Sequence, residues 1–139
     1  MHLSKVSVLQ GLKYLWVGPI TLLFLPLLLL ARWTGGSYTV HSGVIEICGG
    51  KLGQRLNKGL PLFGSAAAIT LGHIVVGISP YYLNRTRLHE REHVRQFERW
   101  GFLFPLIYFG AGLWVQAQGK RFYLDNPYEI AARRAEGKE

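Results

Sequence analysis

Two histidines and a glutamate, in the pattern His89-Glu90-x-x-His93, are the residues of this sequence whose types and spacing favour chemistry. On a helix, residues four apart lie on one face, so both imidazoles can reach one metal ion. The pattern predicts a zinc site with His89 and His93 as ligands. Glu90 would be the catalytic base, taking a proton from a water whose pKa zinc lowers toward about 7. The alternative is a charged surface helix without a metal.

The local sequence around this pattern predicts the helix that it requires. Asn84 can act as N-cap, Gly101 stands just past the end, and no Pro or Gly interrupts residues 85–100. Residues 79–84 are expected to form the turn that precedes the helix. Four arginines at i+4 spacing form a ridge that we expect to face water or anionic lipid headgroups: Arg87, Arg91, Arg95 and Arg99.

The composition favours a small membrane protein. Of the 139 residues, 49% are hydrophobic and only 17% are charged, and the net charge of +8 indicates acidic partners. The basic residues are scattered and no nucleic-acid-binding motif accompanies them, so we expect membrane lipid rather than nucleic acid as the partner. Cys48 is the single cysteine, which excludes an intrachain disulfide and suggests a buried structural thiol.

The segment from Tyr14 to Ala31 contains no charged side chain and predicts a transmembrane helix. At 1.5 Å per residue it is about 27 Å long, close to the hydrocarbon thickness of a bilayer. Trp16 and Trp33 would lie near the two interfaces. A cleaved signal peptide is the alternative, but a good small-residue cleavage site is missing. We therefore expect a membrane anchor over residues 1–33 and a small domain over residues 34–139.

The rest of the chain predicts an α+β fold. Residues 34–43 are turn-rich and are expected to lead out of the membrane. Short strands are predicted at Val44–Cys48 and over residues 67–77, and residues 51–65 could be a loop or a short amphipathic helix. Residues 102–115 are uncharged and predict a buried or membrane-dipping helix, with a second crossing as the alternative. The predicted architecture is thus a transmembrane helix, a short β-sheet, the metal-binding helix and further helices.

A catalytic zinc site needs a third protein ligand. Asn126 is a good N-cap and Pro127 suits the first helical position, so a helix should start at 127 with Glu129 in its first turn. Among the acidic residues, Asp125 and Glu129 are the candidates, and the alternative role of Glu129 is helix capping. His73 could contact the metal's outer shell or a substrate carbonyl, or could be a hydrogen-bonded core histidine.

His89-Glu90-x-x-His93, followed later by Asn126-Pro127-Tyr128-Glu129, resembles the gluzincin class of zinc metallopeptidases. More narrowly, the chain resembles small bacterial membrane-anchored proteins with His-Glu-x-x-His-Val-Arg-Gln and Asp-Asn-Pro-x-Glu. The resemblance implies Glu129 as the third ligand, Glu90 as the general base and a location in the bacterial plasma membrane. Many gluzincins place an Asp four residues after the ligand Glu, where this chain has Arg133, so Asp125 or His73 would have to support the ligands.

These observations lead to one expected function and two alternatives. The expected function is a membrane-associated, zinc-dependent metallopeptidase that hydrolyses peptide bonds, with its substrate added as a strand to the short sheet. The first alternative is a non-catalytic membrane protein with a structural or vestigial zinc site, which a fourth ligand such as His73 would favour. The second is a membrane scaffold without a metal.

Overall fold

The computed structural model describes residues 8–61, 64 and 66–138, and within them the chain has the α+β architecture predicted from its sequence. In chain order the elements are α1 (Val8–Phe24), α2 (Pro26–Trp33), β1 (Ser37–His41), β2 (Val44–Cys48), α3 (Gly50–Lys58), β3 (Ala68–Leu71), β4 (Ile74–Gly77), α4 (Pro80–Trp100), a 3₁₀ helix (Gly101–Leu103), α5 (Phe104–Ala117) and α6 (Pro127–Ala135). Residues 1–7 of the predicted anchor and residues 62, 63 and 65 of the predicted 51–65 segment lie outside the described residues.

The four strands form one sheet in the order β1-β2-β4-β3. Two antiparallel hairpins, β1–β2 and β3–β4, join through the parallel pair β2–β4. The single strand predicted over residues 67–77 is wrong, because Gly72 adopts a φ of +70° and opens a two-residue turn with His73. The turn-rich segment predicted at 34–43 likewise contains β1, which ends in a Ser42-Gly43 turn with positive φ at both residues.

Each face of the sheet is covered by helices. Because side chains alternate along a strand, Ile47, Ile74 and Val76 lie on one face, where they pack against α2 and α3. Val44, Cys48 and Val75 lie on the opposite face and pack against Leu83 and Val94 of α4. Cys48 is buried, as expected. Helix α3 resolves the choice left open for residues 51–65 in favour of a helix over residues 51–58.

Helix α4 begins earlier than the sequence suggested. Ser79 is its N-cap, with the side-chain oxygen accepting from the Tyr82 amide, and Pro80 occupies the first turn. The predicted turn over residues 79–84 and the predicted N-cap Asn84 are therefore wrong. The end at Trp100 is confirmed: Gly101 follows with a φ of +62°, and a Cβ there would collide with the indole of Trp16.

The arginine ridge of α4 does not face water over its whole length. Arg87 donates from Nε and Nη2 to the two carboxylate oxygens of Glu46 on β2, each at 2.9 Å, and Arg91 donates to Glu46 as well. Glu46 is only 4% exposed. The expectation for the ridge is thus wrong for its first half, because Glu46 lies on the sheet face that α4 covers. Arg95, farther along, is exposed and pairs with Glu92.

Helices α1 and α2 pack on the rest of the molecule. Val17 of α1 is fully buried in a cluster with Phe97 and Phe104, and Ala31 of α2 is fully buried against the sheet. The two helices meet at a bend of 40° immediately before Pro26. Within the described residues, one helical stretch, Pro80–Ala117, is long and apolar enough to cross a membrane, or two stretches are if α1 and α2 count as one span.

Candidate metal centre

Helix α6 starts where the sequence predicted, and its start is fixed by Asn126. The Asn126 side-chain oxygen accepts from the Tyr128 amide at 3.0 Å, and its Nδ2 donates to the carbonyl of Tyr108 on α5 at 3.1 Å. Asn126 is fully buried. Asn126 thus ties the start of α6 to α5, and the bond from the Gln96 amide to the Tyr128 carbonyl ties the same turn, which carries Glu129, to α4.

Glu129 lies against the two histidines of α4. Its Oε2 is 3.1 Å from Nε2 of His89, its Oε1 is 3.2 Å from Nε2 of His93, and the two Nε2 atoms are 3.2 Å apart. Four ligands held tetrahedrally at about 2.0–2.1 Å from one ion lie about 3.3–3.4 Å from one another. The two imidazole nitrogens are thus spaced nearly as two ligands of such a shell, and each of them meets a different oxygen of Glu129 at a similar distance. One ligand atom from each of His89, His93 and Glu129 lies within 4.8 Å of the others, so the three residues could hold a metal ion.

The ring of His93 is held in the orientation that a metal ligand needs. Its Nδ1 is 2.9 Å from Oε1 of Gln96, and the amide nitrogen of Gln96 donates to the Tyr128 carbonyl at 3.1 Å. Since the amide nitrogen is engaged with a carbonyl, the amide oxygen faces the ring and Nδ1 carries the proton. The lone pair of a neutral His93 then lies on Nε2, which points at Glu129.

Glu136 does the same for His89, a role that was not predicted from the sequence. Its Oε2 lies 3.1 Å from Nδ1 of His89, on the side of the ring opposite Glu129. A carboxylate on the outer nitrogen of a ligating histidine is a common support in metal sites. The signal in the sequence was the seven-residue spacing between Glu129 and Glu136, which places both on one face of a helix.

Neither of the two residues predicted as further support contacts the cluster. The carboxylate of Asp125 is partly exposed and accepts from the amide and the guanidinium of Arg121. His73 lies in the β3–β4 turn, where its Nε2 is 3.0 Å from Glu98 and its ring packs on Tyr14. Because Arg121 engages Asp125 and Glu98 engages His73, the structure leaves both outside the group formed by His89, His93 and Glu129.

Glu90 is buried beside the cluster without belonging to it. Its Oε2 accepts a hydrogen bond of 2.6 Å from the hydroxyl of Thr70 on β3. Burial raises the pKa of the Glu90 carboxyl, and the neighbouring His93 counteracts only part of that rise. A carboxylate with a raised pKa is suited to accept a proton near neutral pH.

The charges of the cluster depend on one another. Burial alone would lower the pKa of His93, but the hydrogen bond and the charge of Glu129 outweigh it and raise that pKa to about 9. Burial would also lower the pKa of His89, but the hydrogen bond to Glu129 again outweighs burial, and the pKa of His89 is raised. Burial would raise the pKa of Glu129, yet its bonds to both histidines hold it below its usual range. The cluster therefore contains a buried negative charge that demands a positive partner, either a proton or a metal ion.

A cavity of about 280 Å³ opens beside these residues. Strand β3 and the segment before it form one wall, α4 lines the floor, and α5 forms the other wall. His89, Glu90, His93 and Glu129 all line this cavity. A small molecule or a side chain in the cavity could therefore reach the metal position and Glu90 together.

Comparison of this chain with protein-family models, with curated proteins and with solved structures found no match.

Proposed function

We propose that this protein is a membrane-associated, zinc-dependent metallopeptidase of the gluzincin type. His89, His93 and Glu129 would hold the zinc ion, and Glu90 would be the general base. The observation that carries the proposal is the convergence of three donor atoms within 4.8 Å of one another beside a buried carboxylate that is not one of them.

The donor set fits zinc. Two imidazole nitrogens and one carboxylate oxygen are a common ligand set of catalytic zinc, which keeps a further position for water or substrate. That further position would face the cavity, because all three ligand residues line it. When bound, zinc would polarise a substrate carbonyl and lower the pKa of an attacking water. The alternative with four protein ligands gains no support, since His73 bonds to Glu98 instead.

Glu90 is suited to move the proton. Its carboxylate faces the same cavity as the ligands, and the Thr70 hydroxyl holds Oε2 in place. In peptide hydrolysis this carboxylate would accept a proton from the attacking water and then donate it to the leaving amine. Its raised pKa assists both steps, because a stronger base accepts the proton more readily and the protonated acid persists near neutral pH.

Strand β3 offers the peptide backbone a place to bind. It is an edge of the sheet, and the bond from the Ile78 amide to the Ala67 carbonyl fixes which of its residues pair with β4. By alternation, Ala68 and Thr70 direct their backbone groups away from β4. Both residues line the cavity. A peptide paired there as an added strand would lie beside Glu90.

The membrane association is supported by the exposed apolar side chains of α1, α2 and α5. Leu15, Leu22, Trp33, Leu106 and Trp114 are each more than two-thirds exposed. A soluble protein of this size rarely exposes so many large apolar groups on adjoining helices. A bilayer would remove them from water.

Metal analysis of the detergent-purified protein tests the metal centre. We expect one equivalent of zinc in the native chain and loss of that zinc in His93→Ala. Glu90→Gln should keep the zinc and lose hydrolysis of a mixed fluorogenic peptide library. Alkaline carbonate extraction should leave the protein with the membrane pellet. A native chain without zinc, or a Glu90→Gln variant with full peptidase activity, contradicts the proposal.

A further inference from the structure

The cavity at the candidate metal centre is polar at one end and apolar over the rest of its wall. The apolar part is formed by Leu60, Ile69, Leu71, Phe97, Phe104 and Phe109. A charged side chain placed against this wall would lose its hydration without gaining a partner, whereas an apolar side chain would gain from burial. The cavity is therefore built for large apolar groups next to the reacting position.

The mouth of the cavity opens on an exposed apolar surface. Pro105 and Phe109 of α5 line the cavity and are also exposed, and Phe109 keeps 41% of its surface accessible. Phe102, Leu106 and Leu113 continue this surface along the helix at spacings of three and four residues, and each is exposed. A ligand leaving the cavity past Phe109 would meet apolar side chains rather than polar ones.

The same surface continues onto α1. The ring of Trp16 lies 5.4 Å from the ring of Phe102, and Leu12 and Leu15 of α1 are exposed beyond it. Four exposed basic side chains lie on α3 and at the end of α2: Arg32, Lys51, Arg55 and Lys58. Such a combination of an apolar surface and a basic group of residues matches the acyl region and the anionic headgroups of a bilayer.

We propose that the site receives extended, apolar polypeptide segments directly from the bilayer, so that its substrates are membrane-embedded or membrane-adjacent parts of other proteins. This inference rests on the proposed peptidase function. Three features support it together: the edge strand β3 supplies backbone pairing, the wall accepts apolar side chains, and the mouth at Phe109 joins the lipid-facing surface.

Zinc-chelating probes test the apolar preference. The zinc-loaded protein is reconstituted in vesicles of phosphatidylcholine and phosphatidylglycerol. Binding is measured for two dipeptide hydroxamates of equal length, one with Leu-Phe and one with Ser-Asn side chains. His93→Ala vesicles correct for partition into lipid, and acetohydroxamate reports the metal alone. We expect the Leu-Phe probe to bind at least about tenfold more tightly than the Ser-Asn probe.

Two variants on α5 provide matched controls. Phe109→Ser should remove most of the preference for the Leu-Phe probe, while Trp114→Ser, which changes an exposed residue outside the cavity lining, should retain it. Zinc content and acetohydroxamate binding should be the same in both. Equal affinity for the two dipeptide probes, or an equal response of the two variants, overturns the inference. A dodecanoyl hydroxamate that binds as tightly as the Leu-Phe probe also overturns it, because the occupant would then be an acyl chain.

Spin labels locate the mouth relative to the bilayer. In a Cys48→Ser background, a nitroxide at position 109 should be more accessible to oxygen than to a water-soluble nickel chelate, and a nitroxide at the exposed position 95 should show the reverse. A water-facing ratio at position 109 contradicts delivery from lipid. The proposed function fails separately: a protein that holds no zinc or does not bind acetohydroxamate loses both proposals, whereas one that binds it without side-chain preference loses only this inference.

Discussion

Helix α4 packs against two buried carboxylates, Glu46 of β2 and Glu129 of α6. The side chains that neutralise these two carboxylates differ. Glu46 is bonded by Arg87 and Arg91, and Glu129 by His89 and His93. The exposed fractions are nearly equal, 4% for Glu46 and 3% for Glu129. On the sheet below, Glu46 and Thr70 lie in one row, since both align with Val75 from either side. Thr70 bonds Glu90 beside the Glu129 cluster, so the two clusters lie near each other and are equally buried, but different cations neutralise them.

The difference lies in the permanence of the positive charge. A guanidinium stays charged at any physiological pH, so the Glu46 cluster is complete without further partners. Burial would raise the pKa of Glu46, but the two arginines outweigh it and hold that pKa below its ordinary range. An imidazole is charged only when protonated, so the Glu129 cluster is complete only with protons or with a metal ion. A buried carboxylate facing histidines is therefore a better candidate for a metal site than one facing arginines.

Glu129→Gln should produce the largest effect, and it acts on the histidine side of the comparison. Loss of a charged ligand should weaken zinc binding by more than about a hundredfold, because loss of a supporting residue alone costs 10–100-fold. If Glu129 only caps α6, the cost would be about 0.5–2 kcal/mol of stability with zinc still bound. Zinc affinity by competition with a fluorescent chelator separates the two outcomes, and a full-affinity variant refutes the ligand assignment.

Glu46→Gln should produce the opposite pattern. The change leaves Arg87 and Arg91 without their carboxylate, and removing one partner of a buried pair costs about 3–5 kcal/mol. Both guanidinium groups retain some exposure, so we expect about 3 kcal/mol. Chemical denaturation measures the loss, and zinc content should remain at one equivalent. A Glu46→Gln variant that loses zinc while keeping its stability would show that the clusters are not separate.

Glu136→Gln should have a smaller effect on zinc binding than Glu129→Gln. The carboxylate on His89 Nδ1 should contribute to ring orientation and basicity, so its loss should weaken zinc binding by about 10–100-fold without abolishing it. Asp125→Asn is the matched control, because Asp125 bonds Arg121 and should leave zinc affinity unchanged. Equal effects of the two changes on zinc affinity would show that Glu136 does not support His89. Glu136→Asp, which keeps the carboxylate, should weaken zinc binding less than Glu136→Gln.

The smallest expected effect is on the pH dependence of stability, to which the Glu129 cluster should contribute and the Glu46 cluster should not. In the metal-free protein the pKa of His93 is about 9, raised from 6.5, so its interaction with Glu129 is fully present below about pH 6.5 and is lost as the pH rises through 9. The lowered pKa of Glu46 makes its contribution constant over that range. Thermal unfolding with a chelator should show Tm falling between pH 6.5 and 9, and zinc should raise Tm more at pH 9. A flat metal-free profile contradicts this assignment.

The sequence predicted those parts of the site that local rules determine. Asn126 and Pro127 mark the start of α6, and Gly101 marks the end of α4, because capping depends on a few adjacent residues. The i, i+4 spacing of His89 and His93 determines their common face in the same way. Their contact with Glu129 depends on how α6 packs against α4. The structure places Glu129 beside both histidines, at the position expected for the third ligand.

What could not be predicted depends on contacts between distant segments. The seven-residue spacing places Glu136 on the same helical face as Glu129, but its contact with His89 requires α6 to run along α4, and the spacing does not specify that packing. The ridge of arginines looked solvent-facing because its partner Glu46 comes from a strand 41 residues earlier. The turn at Gly72 was hidden inside a run of β-favouring residues, where a single glycine is a weak signal.

The docking of α1 has a consequence for the order in which the chain can assemble. Thr21 accepts a hydrogen bond from the His73 amide 52 residues later, and Val17 is sealed by Phe97 and Phe104 from farther still. At a synthesis rate of about 5–20 residues per second, His73 is synthesised roughly 3–10 s after Thr21. During that interval the apolar side chains of α1 have only the bilayer or a chaperone to cover them. A chain synthesised without access to either should therefore aggregate more readily than one synthesised at a membrane.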